Sequence, residues 1–544
     1  MLMNNLNDNV RPCTQLFHHV CSKWSEKHAD NIPNYNSVMT KLAHEANMEI
    51  KTYLEKTRVE DMPHSEKMVK NFYESCMKDN HEFDRFKFMH WLEKEKNMKW
   101  ALLTPVADKN VVFDWTSTMA IFRKYGFNDL LVEEWTSSKD TFDYVKPMQM
   151  EFYKNFLTLP SGAMDFMELW PLIDEFEQKI GDIKVEQPEE KTYKFHELPY
   201  PWMKKYLTAV VEPKQLDGNM ELSIANTVCL EDLDKLLSQY DKAFLCRYLE
   251  VRFLLYLEKA SARTTSNACM LQVATYLSMA TEGIYMKLHP ELLLEIPQIH
   301  QMFGNLVKNI NKTLQMDKEN IIPQEYFTTL ETMKLQVGNT YPHTESLEAH
   351  YQDLNLQADD YYGNFLKIMK FSNKPLLDDS DRKTLYQTPT LLVPYWNVLP
   401  RYAYQTNTLI VPFGLLREPF YNAAYADIFK QSSLGTLLAP KESERYQKMF
   451  NMTTAEEQVQ QQLQQLFFIN EMHTHCEWFY AAADRFNTVL MDLSYFNEAF
   501  ELKINTEELA KLPQQQLICI TSALNLYDRY LKVLVVPFYR TSNE

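Results

Sequence analysis

Glycine is scarce, with 10 in 544 residues. Neither G-x-x-x-x-G-K nor G-x-S-x-G occurs, so phosphate-loop chemistry and the serine-hydrolase elbow are excluded. The sequence holds no run of about 18 apolar residues and no basic-then-apolar leader between Met1 and Val10. As read, it neither spans a membrane nor shows an export signal. None of the 8 cysteines stands in C-x-x-C spacing, which argues against a closed zinc knuckle or a thioredoxin-type pair. H-E-x-x-H is absent as well. His44-Glu45 is followed by Met48 where a second histidine belongs, and His196-Glu197 by Tyr200. Basic side chains number 56 against 73 acidic, a net charge of −17. That balance disfavours nucleic acid or an anionic membrane as the main partner.

What is abundant points to helices. The chain is long enough to bury a large core in more than one lobe, and it is rich in Leu, Lys, Glu, Gln and Met. EKMVKNFYESCMKD, Glu66 to Asp79, has the apolar spacing of a helix, and Thr227 to Glu258 reads as a core helix pair. Thr408 to Val411 reads as an edge strand, with Pro412 removing a ladder donor. Ala426, Phe429, Ser433, Thr436 and Leu437 then recur at helical spacing. They predict a buried helix in which Gly435 admits a neighbouring backbone and which stops at Pro440. His473, His475, Cys476 and Glu477 are ligand types close together, but residues two apart on a helix face different ways.

Several words of this sequence, taken in order, are similar to the neprilysin family of zinc endopeptidases. RPCTQLFHHVCSKW, Arg11 to Trp24, resembles its opening cysteine motif. NACMLQVATYLSMATEGIYMK, Asn267 to Lys287, and QMDKENIIPQEYFTTLETMKLQVGNTYP, Gln315 to Pro342, resemble its middle segments. SLEAHYQDLNLQADDYYGNFLKIMKF, Ser346 to Phe371, resembles the long helix before its catalytic portion. YAY at Tyr402 to Tyr404 resembles the substrate-side strand N-A-[FY]-Y, and IVPFGLLREPFY at Ile410 to Tyr421 the segment after it. Leu434 to Ala439 stands where the family's zinc helix leads into H-E-x-x-H.

The resemblance implies a mainly α, two-lobed, zincin-derived fold with a small β-sheet near Leu391 to Pro412 in a degraded catalytic lobe. It places a helical region at residues 9–379 and a shortened catalytic region at 382–544. Carried over residue by residue, the first zinc histidine is Pro440, the catalytic glutamate is Lys441 and the second histidine is Glu444. Proline offers no ligand atom, and lysine repels a cation and cannot serve as the base. The segment carrying the third ligand is missing between Glu444 and Leu466. The sequence therefore predicts no zinc and no other cofactor, although zinc belongs to the family.

Ala403 and Arg485 are the substrate-contacting positions that carry over, whereas Tyr402 replaces an asparagine that holds the peptide backbone. The resemblance also implies disulfides joining Cys76 to Cys269 and Cys21 to Cys476, and with them an oxidising, extracellular or cell-surface location. The expected function is that of a pseudopeptidase that binds peptides or pairs with active family members. The alternatives are an active zinc endopeptidase with unorthodox ligands and a structural relic that binds nothing.

Overall fold

Asp84, Asn226 and Asp241 each open a helix by accepting backbone N–H groups of its first turn: Phe86 and Lys87, Cys229, and Ala243 and Phe244, respectively. The computed structural model describes most of residues 38–372 and 400–438, apart from several internal stretches of which 145–165 is the longest. Pro440, Lys441, Glu444, Arg485, Cys21 and Cys476 lie outside the described residues.

The helices are α1 (Val38–Lys56), α2 (His64–Lys78), α3 (Arg85–Lys96), α4 (Trp115–Lys124), α5 (Phe166–Gly181), α6 (Pro201–Val210) and α7 (Thr227–Leu237). They continue with α8 (Lys242–Ala260), α9 (Ser266–Tyr276), α10 (Ser278–Leu288), α11 (Leu292–Met316), α12 (Gln324–Glu331), α13 (Thr344–Tyr351) and α14 (Tyr361–Ser372). The strands are β1 (Val132–Thr136), β2 (Asp140–Tyr144), β3 (Lys191–Lys194), β4 (Glu221–Ile224), β5 (Lys334–Val337), β6 (Arg401–Ala403) and β7 (Thr408–Val411). The fold is mainly α with small sheets.

The chain forms two compact units. One draws its described residues from Met62–Leu277 and Glu348–Leu391, the other from Met1–Asp61, Ser278–Leu347 and Leu392–Glu544. In the first, α2 buries Met68, Val69, Phe72, Tyr73 and Cys76 along one face against α9 and α14. This is the helix expected from Glu66 to Asp79, and Cys76 is joined to Cys269 on α9 by a disulfide. The expected core helix pair is α7 and α8. A four-stranded sheet runs β1-β2-β4-β3, parallel only between β2 and β4.

Helix α8 is buried nearly all round and carries charge inward. Glu250 accepts from the backbone N–H groups of Ala101 and Leu102, each at 2.8 Å, and Arg247 donates to the carbonyl of Ala101 at 3.0 Å. Arg252 donates to the Leu130 carbonyl at 2.6 Å and to the Tyr248 hydroxyl at 3.0 Å. Each of these buried polar groups thus replaces lost water with fixed partners.

The segment from Ser346 to Phe371 is not one helix. It breaks into α13 and α14 because side chains in the break cap and brace its ends. Asp360 accepts from the N–H of Gly363 at 2.8 Å, and Asn364 accepts from the N–H of Gln357 at 2.8 Å. Asn364 also donates to Ser75 Oγ at 3.0 Å, anchoring α14 to α2.

Candidate functional site

The second unit holds the sheet that the family resemblance points to. Its order is β5-β7-β6, with β7 parallel to β5 and antiparallel to β6. Thr408 to Val411 are all buried, as suits a β-branched and aliphatic run. The reading of this run as an edge strand is corrected: β7 is central, and among the described residues β5 and β6 are the two edges. The signal favouring an edge, Pro412, falls one residue past the strand and opens the turn Phe413–Leu415.

Two residues close this sheet. Gly338 lies at φ +69°, and a Cβ built there would stand 2.1 Å from the Phe413 ring, so only glycine fits. Asn407 takes up the left-handed conformation at φ 50°, which asparagine tolerates through local hydrogen bonds. Its side chain accepts from the Tyr402 hydroxyl at 2.8 Å. It donates to the Thr329 carbonyl at 2.9 Å and to Thr332 Oγ1 at 3.0 Å, while its own carbonyl receives the N–H of Lys334 at 2.9 Å. Asn407 therefore joins β6, the end of α12 and the start of β5.

Beyond the sheet, the predicted buried helix is present but interrupted. Asp427–Lys430 is α-helical, Gln431–Gly435 forms a π-helical turn, and Thr436–Leu438 is α-helical again. A π turn adds a residue to the ring and rotates the helix beyond it. Ser433 donates to the Phe420 carbonyl at 2.6 Å, and Leu434, Leu437 and Leu438 are buried. Gly435 does not admit a close backbone as expected. A Cβ there would meet only Gln431 Cβ at 3.7 Å and the Lys430 carbonyl at 4.0 Å.

Side chains bind this segment to α11. Lys430 donates to Gln298 Oε1 at 3.1 Å, and the Tyr421 hydroxyl lies 2.8 Å from Glu295 Oε2 and 3.0 Å from Gln298 Oε1. Burial, with the Glu295 carboxylate next, pushes the Tyr421 phenol upward in pKa. A further cluster ties the chain after β7 to α1. Arg417 and His289 both reach Glu49, at 2.8 and 2.6 Å, and His289 lies 3.2 Å from Glu291 through its other ring nitrogen. Sequence reasoning singled out none of Asn407, Lys430, Glu49 or His289. Only Asn407, a turn former directly before a β-branched run, left a readable signal.

Of the sequence-predicted site residues, the structure places Ala403 at the end of β6, opposite Thr408. Among the described residues no group of three or more histidine, cysteine or acidic side chains is arranged to hold a metal ion. Cys246 is no nucleophile either, since burial pushes its thiol up to about 12.

Residues 12–165 match the model of peptidase family M13. The chain shares the fold of solved structures at low identity. PepO from Lactobacillus rhamnosis HN001 is 12% identical at a TM-score of 0.59, with 95% of this chain and 90% of that one covered. The Haemonchus galactose-containing glycoprotein complex is 14% identical at 0.61, covering 96% and 88%. The Mycobacterium tuberculosis zinc metalloprotease Zmp1, in complex with inhibitor, is 13% identical at 0.53, covering 81% and 73%. No curated protein matches. The disulfide implied by the family resemblance, Cys76 to Cys269, is present in this chain. No described helix is long and apolar enough to cross a membrane.

Proposed function

We propose that this chain is a pseudopeptidase related to peptidase family M13, which binds extended peptides without cleaving them. The observation carrying this reading is the donor set after Ala439: Pro440, Lys441 and Glu444 stand where two imidazoles and a general base belong. One carboxylate, one cation and a residue with no side-chain donor do not fit zinc, and we derive no hydrolytic step through it. In this reading residues 9–379 supply the helical region and residues 382–544 the shortened catalytic region, with Ala403 and Arg485 as substrate contacts. Support for peptide binding comes from β6, a strand paired on one side only among the described residues, where an extended chain can add as a further strand.

Partners of this kind, or an active family member, belong outside the cell, and the Cys76 to Cys269 bridge suits an oxidising compartment. The test is made on secreted, purified protein. Expected are far less than one zinc per chain, no chelator-sensitive hydrolysis of short peptides, and a melting point raised by peptide, because a ligand of the folded state alone stabilises it. Stoichiometric zinc with chelator-blocked cleavage overturns the reading in favour of an active peptidase. No peptide-dependent shift favours a structural relic.

A further inference from the structure

The pattern N-x-[ST], with any residue but proline in the middle, marks an asparagine that the secretory pathway can join to sugar. It occurs at Asn311-Lys312-Thr313 and at Asn451-Met452-Thr453. The second lies outside the described residues, and the first lies on α11. One side of α11 buries Ile299, Phe303 and Leu306, whereas Lys308, Lys312 and Gln315, one helical turn to either side of Asn311 or next to it, are exposed. The Asn311 amide lies at that surface. Its Nδ2 donates to Glu331 Oε1 on α12 at 2.9 Å, and its Oδ1 accepts from Gln315 Nε2 at 3.0 Å. An amide nitrogen carries two hydrogens, so Glu331 takes one and the other is left over.

We propose that Asn311 is the acceptor of an N-linked oligosaccharide. The proposal goes beyond peptide binding and rests on the extracellular reading of the chain, which the Cys76 to Cys269 bridge supports. The donor is a lipid-linked oligosaccharide diphosphate. A bond forms between Asn311 Nδ2 and C1 of the first N-acetylglucosamine, the bond from C1 to the diphosphate oxygen breaks, and the amide proton leaves with the lipid diphosphate. Nothing is oxidised or reduced. Transfer acts on the chain as it enters the compartment, before α11 has formed, so the helix does not obstruct it. The fold has only to leave the sugar in water afterwards. The surface position of Asn311 meets that condition, since the sugar starts at an amide outside the apolar packing and the second N–H stays available to Glu331.

The experiment captures the full chain by antibody from the cells that make it, digests it and treats the peptides with peptide N-glycosidase in heavy-oxygen water. The glycosidase turns a sugar-bearing asparagine into an isotope-labelled aspartate that mass spectrometry locates. The expected result is label at Asn311, read apart from Asn451 on its own peptide. A second arm translates the full chain behind a cleavable leader in the presence of microsomes, where transfer precedes folding and a variant that folds badly is still read. There Thr313→Ala, which keeps Asn311 itself, is expected to lose the label, as is Asn311→Gln. Thr313→Ser, which keeps a hydroxyl at the third position of the pattern, is expected to retain it.

Unlabelled Asn311 in captured protein whose Cys76 to Cys269 bridge is formed overturns the proposal and leaves the extracellular reading in place. Unlabelled Asn311 with both of those thiols free overturns the two together. Label that survives in Thr313→Ala, or that forms without the glycosidase, marks spontaneous deamidation of the asparagine and also overturns the assignment.

Discussion

Cys76 on α2 is bonded to Cys269 on α9 across 193 residues of sequence, with neither sulfur-bearing residue exposed to solvent. The bridge closes a long loop inside one compact unit. Replacing both cysteines by alanine is expected to cost about 2–5 kcal/mol of stability. Thermal or urea unfolding of the variant checks this. A native sample is expected to resist mild reductant, because the buried bridge becomes accessible only on opening.

The pH dependence of stability turns on Glu250. Burial pushes its carboxyl up to about 8, although two backbone N–H groups and Arg247 act in the opposite direction. A raised folded-state value means that the folded protein keeps a proton that the unfolded chain releases. The contribution is fully present below the ordinary carboxylate value and is lost as pH rises from there toward about 8. Urea unfolding between pH 4.5 and 8.5 is expected to show this decline, and Glu250→Gln to flatten it while lowering stability throughout by roughly 1–3 kcal/mol through one unsatisfied N–H.

Two glycines separate packing from habit. Gly435→Ala is expected to raise stability by up to about 1 kcal/mol, since the site has room and alanine favours helix. Gly338→Ala is expected to lower it by more than about 1 kcal/mol, through a left-handed backbone and a clash with the Phe413 ring. Paired melting curves of the two variants test both.

Rebuilding the zinc words alone is expected to fail. The triple variant Pro440→His, Lys441→Glu, Glu444→His restores the H-E-x-x-H spacing but adds no third protein ligand, and two imidazoles alone leave a zinc ion short of its tetrahedral set. Zinc titration is expected to show weak binding without hydrolysis of short peptides. Cleavage blocked by chelator refutes this prediction.

Local pattern carried much of the fold. The spacing of Met68, Phe72 and Cys76 announced α2, and the apolar run from Thr227 announced α7 and α8. What local pattern hid depends on partners far away in sequence. Arg247, Glu250 and Arg252 are each buried against groups near residues 101 or 130 that no window of sequence around α8 contains. The same holds for β7: nothing in Thr408 to Val411 reveals that Lys334–Val337 lies along its other side. The break at residues 352–360 was hidden because Asp360 and Asn364 interrupt a helix by side-chain capping, which composition does not display. At the candidate site, Pro440, Lys441 and Glu444 are read from residue identity alone and lie outside the described residues, whereas the Tyr402 to Asn407 bond required knowing that the tyrosine turns inward.

The parallel pairing of β5 with β7 has a consequence for synthesis. A ribosome that has just finished Val337 has made a strand whose neighbour, Thr408 to Val411, is still untranslated. Any premature stop in that interval releases a polypeptide with an orphan strand and bare amides, a template for aggregation. Quality control in the producing cell is thus expected to meet such fragments as insoluble material.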